Sequence, residues 1–119
     1  GQGINIPREV KMNPEITGSN PMDVFQREAP EVARAFDGLI RSLVGTDGLD
    51  GKTKHLVYIA LKAAQADTMA LRFHVPMAKS AGASRAEVRD AILMSLTVSG
   101  IRGVAACLPM AMELYDSKN

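Results

Sequence analysis

Apolar residues recur at steps of three and four along most of the chain, the period of helices that bury one face. From Pro30 to Val44 the residues Val32, Phe36, Leu39, Ile40 and Leu43 fall on one stripe, and Gly45 suits the C-terminal cap. Ahead of that helix, Asn20-Pro21 supplies an N-cap and a first-turn proline. This pair predicts a short helix through Gln26 that stops before Pro30, and Pro30 can open the next helix. Residues 1–20 hold Gly3, Pro7, Pro14 and Gly18 without a sustained period. They read as an extended arm, of the kind that packs on a neighbouring subunit.

After the loop Gly45-Thr46-Asp47-Gly48, Asp50 can cap a helix whose Leu56, Val57, Ile59, Ala60, Leu61, Ala63 and Ala64 are apolar on most sides, the mark of a central helix. No glycine or proline interrupts residues 63–70, so one helix could run straight through Asp67. The alternative is a hairpin of helices 51–65 and 67–81 that turns near Ala66. The second of these carries an apolar stripe of Ala70, Phe73, His74, Met77 and Ala81 and ends at Gly82. It is expected to kink near Arg72, whose carbonyl receives no donor from Pro76. Ser84-Arg85-Ala86-Glu87 has the spacing of a capping box, opening a helix with Val88, Ala91, Ile92, Ser95 and Leu96 inward. Gly100 and Gly103 mark a turn into a last helix through Tyr115, with Val104, Cys107, Leu108, Ala111 and Tyr115 inward and Pro109 a second irregularity. Nothing reads as a strand. The expected architecture is all-α, with five or six helices in one domain over residues 21–119 behind an arm of residues 1–20.

Composition narrows the function classes. With 46% hydrophobic and 23% charged residues, the 119-residue chain has ordinary globular usage and can bury a core. Fourteen basic against thirteen acidic residues leave a formal net charge of +1, which provides no field to steer nucleic acid. The most basic stretch, Lys52-Thr53-Lys54-His55, is too short to track a phosphate backbone. No window approaches the ~18 consecutive apolar residues of a spanning helix, and no signal-peptide pattern opens the chain, so no membrane partner and a cytoplasmic location are expected. Cys107 is the only cysteine, which rules out an intramolecular disulfide and a zinc site built on cysteine pairs.

Four stretches together resemble the carboxymuconolactone decarboxylase and alkylhydroperoxidase D-like family. They are Leu49-Asp50-Gly51-Lys52-Thr53-Lys54-His55-Leu56, the helix bearing His74, Ala81-Gly82-Ala83-Ser84-Arg85-Ala86-Glu87-Val88, and the apolar helix after it. The likeness spans roughly residues 30 to 116 and implies an alkylhydroperoxidase D-like helical bundle assembled as trimers or hexamers, with pockets near subunit contacts. In redox-active members of that family a glutamate precedes a Cys-x-x-Cys pair, and a histidine follows. The resemblance sets His55 at the glutamate, Asp67 and Ala70 at the two cysteines, and His74 at the histidine. Thiol peroxidase chemistry needs an attacking and a resolving thiol, and neither stands at those positions. The family's decarboxylase branch opens and decarboxylates lactones without a cysteine pair.

The candidate chemistry therefore centres on the histidines. In the hairpin alternative His55 lies eleven residues before the turn and His74 eight after it, an offset of only ~4.5 Å of helical rise, so the imidazoles could lie side by side. Two partly buried imidazoles resist double protonation, leaving one as base and the other as acid. Against this stand a His74 that is merely a hydrogen-bonded core residue and a His55 that faces water at a helix start. Asp67 precedes His74 by seven residues, roughly 10 Å along the axis, so the three do not make one metal site, and an N-cap is its expected role. Arg72 falls off the stripe. Buried at an oligomer contact, its fork of donors would suit a substrate carboxylate. Cys107 fits as a small core hydrophobe, and Met69, Met77, Met94, Met110 and Met112 as core or as the lining of an apolar pocket. The function expected is acid–base chemistry, decarboxylation or isomerisation, on a small carboxylated or lactone-like molecule, with no cofactor and no metal. The rivals are a divergent oxidoreductase of the same family, drawing a thiol from Cys107 or a partner protein, and a non-catalytic oligomer that binds a ligand or a protein.

Overall fold

A computed structural model describes residues 20–117, and the expected arm lies outside the described residues except for Asn20. Asn20 begins the order with its side-chain oxygen accepting from the Met22 N–H at 2.8 Å, which starts α1 (Pro21–Glu28). Helix α2 (Pro30–Val44) opens on Pro30 and closes on Gly45. Gly45 caps with right-handed dihedrals, φ −82°, so it is not there for a left-handed turn. The Phe25 and Phe36 rings lie 5.9 Å apart and join the two helices, and Ala33 is buried. The apolar stripe of α2 is present, yet Val32, Phe36, Leu39, Ile40 and Leu43 are all exposed. Periodicity identified the face and could not say what covers it.

The chain divides into two compact units, the first ending at Gly45 and the second beginning at Thr46. The second contains α3 (Gly51–Ala64), α4 (Thr68–Ser80), α5 (Arg85–Leu93), the four-residue α6 (Leu96–Ser99) and α7 (Ile101–Asp116). No strand occurs among the described residues. Asp50 accepts from the Thr53 N–H at 2.8 Å to start α3, and Ser84 and Glu87 exchange both bonds of the capping box that starts α5. Helix α3 touches α4, α5, α6 and α7, the central position expected of it. Ile59, Ala63, Leu71, Val75, Val88, Ile92, Cys107 and Ala111 form a core closed to solvent. Each of its larger aliphatic side chains contributes on the order of 1.5–3 kcal/mol by leaving water.

The break between α3 and α4, which no glycine or proline announced, is made by Ala66 in the left-handed region at φ 55°. The Ala66 N–H reaches the Ala63 carbonyl and the Asp67 N–H reaches the Lys62 carbonyl at 3.0 Å, the paired bonds of a Schellman turn. Asp67 then caps α4 by accepting from the Ala70 N–H. The same turn ends α4 at Gly82, φ 100°, with Ala83 bonded to Ala78 at 2.9 Å. Hairpin, N-cap and C-terminal glycine therefore stand as read.

Several details depart from the sequence reading, among them Leu96, expected inward on the helix after Ser84 but exposed beyond its end at Leu93. The buried face of α4 is Leu71, Val75 and Ala78, while Phe73 and Met77 of the expected stripe are exposed, as is Ala81. Both sets repeat at three and four residues, and contact with α3 and α7 selected the one with the branched aliphatics. Gly103 is not a turn residue but lies inside α7, where an added Cβ would stand 2.2 Å from the Ala63 carbonyl oxygen. Met69, Met77 and Met94 are exposed rather than core, and only Met110 and Met112 of the five pack against it.

Candidate active site

Several residues that carry the family likeness prove to be architectural. Asp50 and Ser84 are caps, and Ala81-Gly82-Ala83 is the turn after α4. Lys52 reaches Glu87 at 3.0 Å and ties the start of α3 to the start of α5. Tyr115 Oη donates to the Ala83 carbonyl at 2.7 Å, and Arg85 meets Asp116 through two bonds, closing α7 onto the α4–α5 connection. The relation of α3 to α4, and with it that of the histidines, comes from the turn at Ala66 and the packing of the two helices on each other.

His55 on α3 and His74 on α4 face each other, with ring centroids 6.5 Å apart and planes tilted by 44°. That spacing leaves roughly 4 Å or more between the nearest ring nitrogens, beyond a direct hydrogen bond of ~3 Å, so a proton could pass between the rings only through an intervening oxygen. Tyr58, nearly one turn after His55, lies closer still, its ring centroid 4.1 Å from that of His74. The sequence reading missed Tyr58, although its three-residue spacing from His55 on a helix put the two on neighbouring faces. Burial, then the neighbouring His55, then Lys62 hold the His74 imidazole below its ordinary pKa, so the neutral ring is favoured. Its buried Nδ1 has no hydrogen-bond partner among the described residues.

An open depression of about 420 Å³ is lined by His55, Pro76, Met77, Ser80 and Ala81, and His74 is not part of its wall. Its walls are mainly apolar, with the His55 imidazole and the Ser80 hydroxyl as polar groups. A second, of about 360 Å³, lies between α3 and α5, lined by Leu56, Val57, Ala60, Ala91 and Met94 with Thr53, Glu87 and Asp90. Arg72 borders neither and is exposed. Two residues along a helix turn it by about 200° away from the His74 face.

At the two positions set against the family cysteines, Asp67 caps α4 and Ala70 donates the capped N–H. Asp67 also forms an ion pair with Lys62 at 3.3 Å, and its carboxyl is held below the ordinary range by the Ala70 N–H first and by Lys62. Cys107 is fully buried, and burial, with Asp67 nearby, raises its thiol pKa. A protonated, enclosed thiol is a poor nucleophile. Among the described residues no group of three or more His, Cys, Asp or Glu side chains could hold a metal ion, and no helix is long and apolar enough to cross a membrane.

Comparison with family models matches residues 30–113 to the carboxymuconolactone decarboxylase family. Comparisons with curated proteins and with solved structures return no match.

Proposed function

The chain belongs to the carboxymuconolactone decarboxylase family, and from that membership we propose that it performs acid–base chemistry, a decarboxylation or isomerisation, on a small carboxylated or lactone-like molecule. The observation that carries the proposal is the imidazole pair: His55 on the wall of an open depression, with the centre of the His74 ring 6.5 Å from its own and that ring biased toward the neutral form by burial. In this scheme the substrate sits against Pro76, Met77 and Ala81. His55 contacts its reacting oxygen or C–H, and the proton passes through one bridging oxygen to His74, whose neutral ring is poised to accept it. The positive charge that follows is carried by one ring at a time, because two adjacent imidazolium groups repel. Arg72 would hold a substrate carboxylate only across a contact between subunits, where its donors could be desolvated. The exposed apolar stripe of α2, together with Val57, Leu61, Phe73, Val98 and Ile101 in the second unit, supports such a homo-oligomer.

Two rivals make different demands. A thiol peroxidase would have to act through Cys107, whose burial and raised pKa oppose it. A non-catalytic binding domain would use the same depression without needing either imidazole to change protonation. The test is turnover of carboxylated γ-lactones, followed by CO2 release and by loss of the lactone absorbance, in the wild type and in His55→Gln and His74→Gln. Wild-type turnover that falls at least ~100-fold in each variant is expected for removal of a proton-transfer group. Turnover that survives both substitutions refutes the pair. Saturable binding of the same lactones without turnover favours the binding domain, and dithiol-dependent peroxide consumption abolished by Cys107→Ser favours the peroxidase.

A further inference from the structure

Lys62 is held in two ways. Its ammonium lies 3.3 Å from Asp67 Oδ2 and 5.6 Å from the centre of the Tyr58 ring, one turn back on the same helix. Both side chains of the ion pair are about two-thirds covered, with 28% and 35% of their surfaces exposed, which makes it the most enclosed of the ion pairs described. Asp67 is itself immobilised as the cap of α4 and by the Schellman turn just before it. The Tyr58 ring that lies beneath the ammonium is also the ring packed on His74.

We infer that the Lys62–Asp67 ion pair is a positioning device for the His74 site: the carboxylate at the start of α4 tethers the ammonium over the Tyr58 ring and so fixes a positive charge against the ring that packs on His74. An untethered lysine would extend into water, where its charge is screened and its effect on the ring is lost. The elements packed against α4 bring other titratable groups, and those nearest the site have contacts of their own, while Arg102 of α7 donates to the Ala64 carbonyl and Arg85 of α5 pairs with Asp116 of α7. From α3, His55 is the second ring of the pair and Tyr58 the packed ring. From α7, Cys107 is a buried thiol toward the Asp67 end, and Tyr115 lies under Lys79 at the opposite end of α4. From α5, Glu87 is taken up by Lys52 and the capping box. Burial, His55 and Lys62 are the influences that depress His74, in that order.

The device rests on the assignment of His74 as proton acceptor only for its catalytic consequence, and its test is made on the resting full-length protein. The His74 titration midpoint is read from the imidazole carbon-bound protons in wild type, Lys62→Met, Lys62→Arg and Asp67→Asn. Methionine keeps the apolar stem, and asparagine remains a good N-cap, so each variant is expected to fold. Lys62→Met should raise the midpoint by roughly half a pH unit, the scale of one partly screened charge nearby. Lys62→Arg should leave it near the wild-type position. Asp67→Asn should raise it as well, because the released ammonium moves into water. A fall in Asp67→Asn would mean that the ammonium stays in place without its carboxylate, and would overturn the tether. An unmoved midpoint in Lys62→Met would overturn the whole inference. Midpoints that shift as expected in a protein with no lactone turnover would refute the proposed function and leave the tether standing.

Discussion

Replacing Gly103 by alanine tests the closest helix contact in the fold. The added Cβ would stand 2.2 Å from the Ala63 carbonyl oxygen, 3.0 Å from Ser95 Oγ and 3.1 Å from the Ala63 carbonyl carbon. Ordinary van der Waals contact begins near ~3.4 Å, so about 1 Å must be found, and the main obstacle is backbone rather than the end of a flexible side chain. The Ala63 carbonyl is fixed in the last turn of α3, where it accepts from the Ala66 N–H. Helix α7 must therefore move, loosening Cys107 and Ala111 in the core. Overpacking of this kind costs about 1–3 kcal/mol and more when backbone shifts, while alanine regains at most about 1 kcal/mol of helix propensity over glycine. The expected net loss is roughly 2–3 kcal/mol, which for a domain of about 100 residues lowers the melting temperature by on the order of 10 °C or more. Gly38, inside α2 with nothing within 4 Å of an added Cβ, is the matched control. Gly38→Ala should be neutral or gain up to about 1 kcal/mol. Urea unfolding followed by circular dichroism, repeated at several protein concentrations so that association does not distort the comparison, reads both variants. A Gly103→Ala protein as stable as Gly38→Ala would show that α7 does not approach α3 in this register.

Two further outcomes are expected. The lowered pKa of His74 means that the unfolded chain binds the proton more readily, so its contribution to stability is complete above about pH 6.5 and is lost as pH falls toward the depressed folded midpoint. Urea unfolding free energies should therefore decline from about pH 6.5 to 5 and flatten in His74→Gln, and an identical slope in that variant would contradict the desolvated site. The exposed apolar face of α2 predicts self-association, with light scattering in dilute physiological-salt buffer giving a multiple of the 12.7 kDa chain mass and Leu39→Glu shifting it downward. A wild-type protein that elutes as a clean monomer would remove the subunit contact from the proposed site.

Local chemistry was sufficient for most of the element boundaries. Asn20, Asp50, Asp67 and Ser84 can cap a helix start with their own side chains, so their positions are readable without knowing what lies across the chain. The family likeness, in the caps and the turn at Gly82, was legible for the same reason, and so was the near equality of the His55 and His74 distances from the turn. What depended on distant neighbours was not. The α3–α4 break needed Ala66 to enter a left-handed conformation that alanine does not prefer, and the hydrogen bonds of the assembled turn hold it there. Which of two interleaved stripes on α4 turned inward was decided by α3 and α7, because a helical period of 3.6 leaves both Leu71, Val75 and Ala78 and Phe73 and Met77 as candidate faces. Gly103 read as a turn until the Ala63 backbone occupied the place of its missing Cβ, and Tyr58 and Lys62 became part of the histidine site only when α4 was laid beside α3. Caps and turns are interactions over three or four residues and are written in the chain, whereas burial and the charge felt by an imidazole are sums over whatever the fold brings near it.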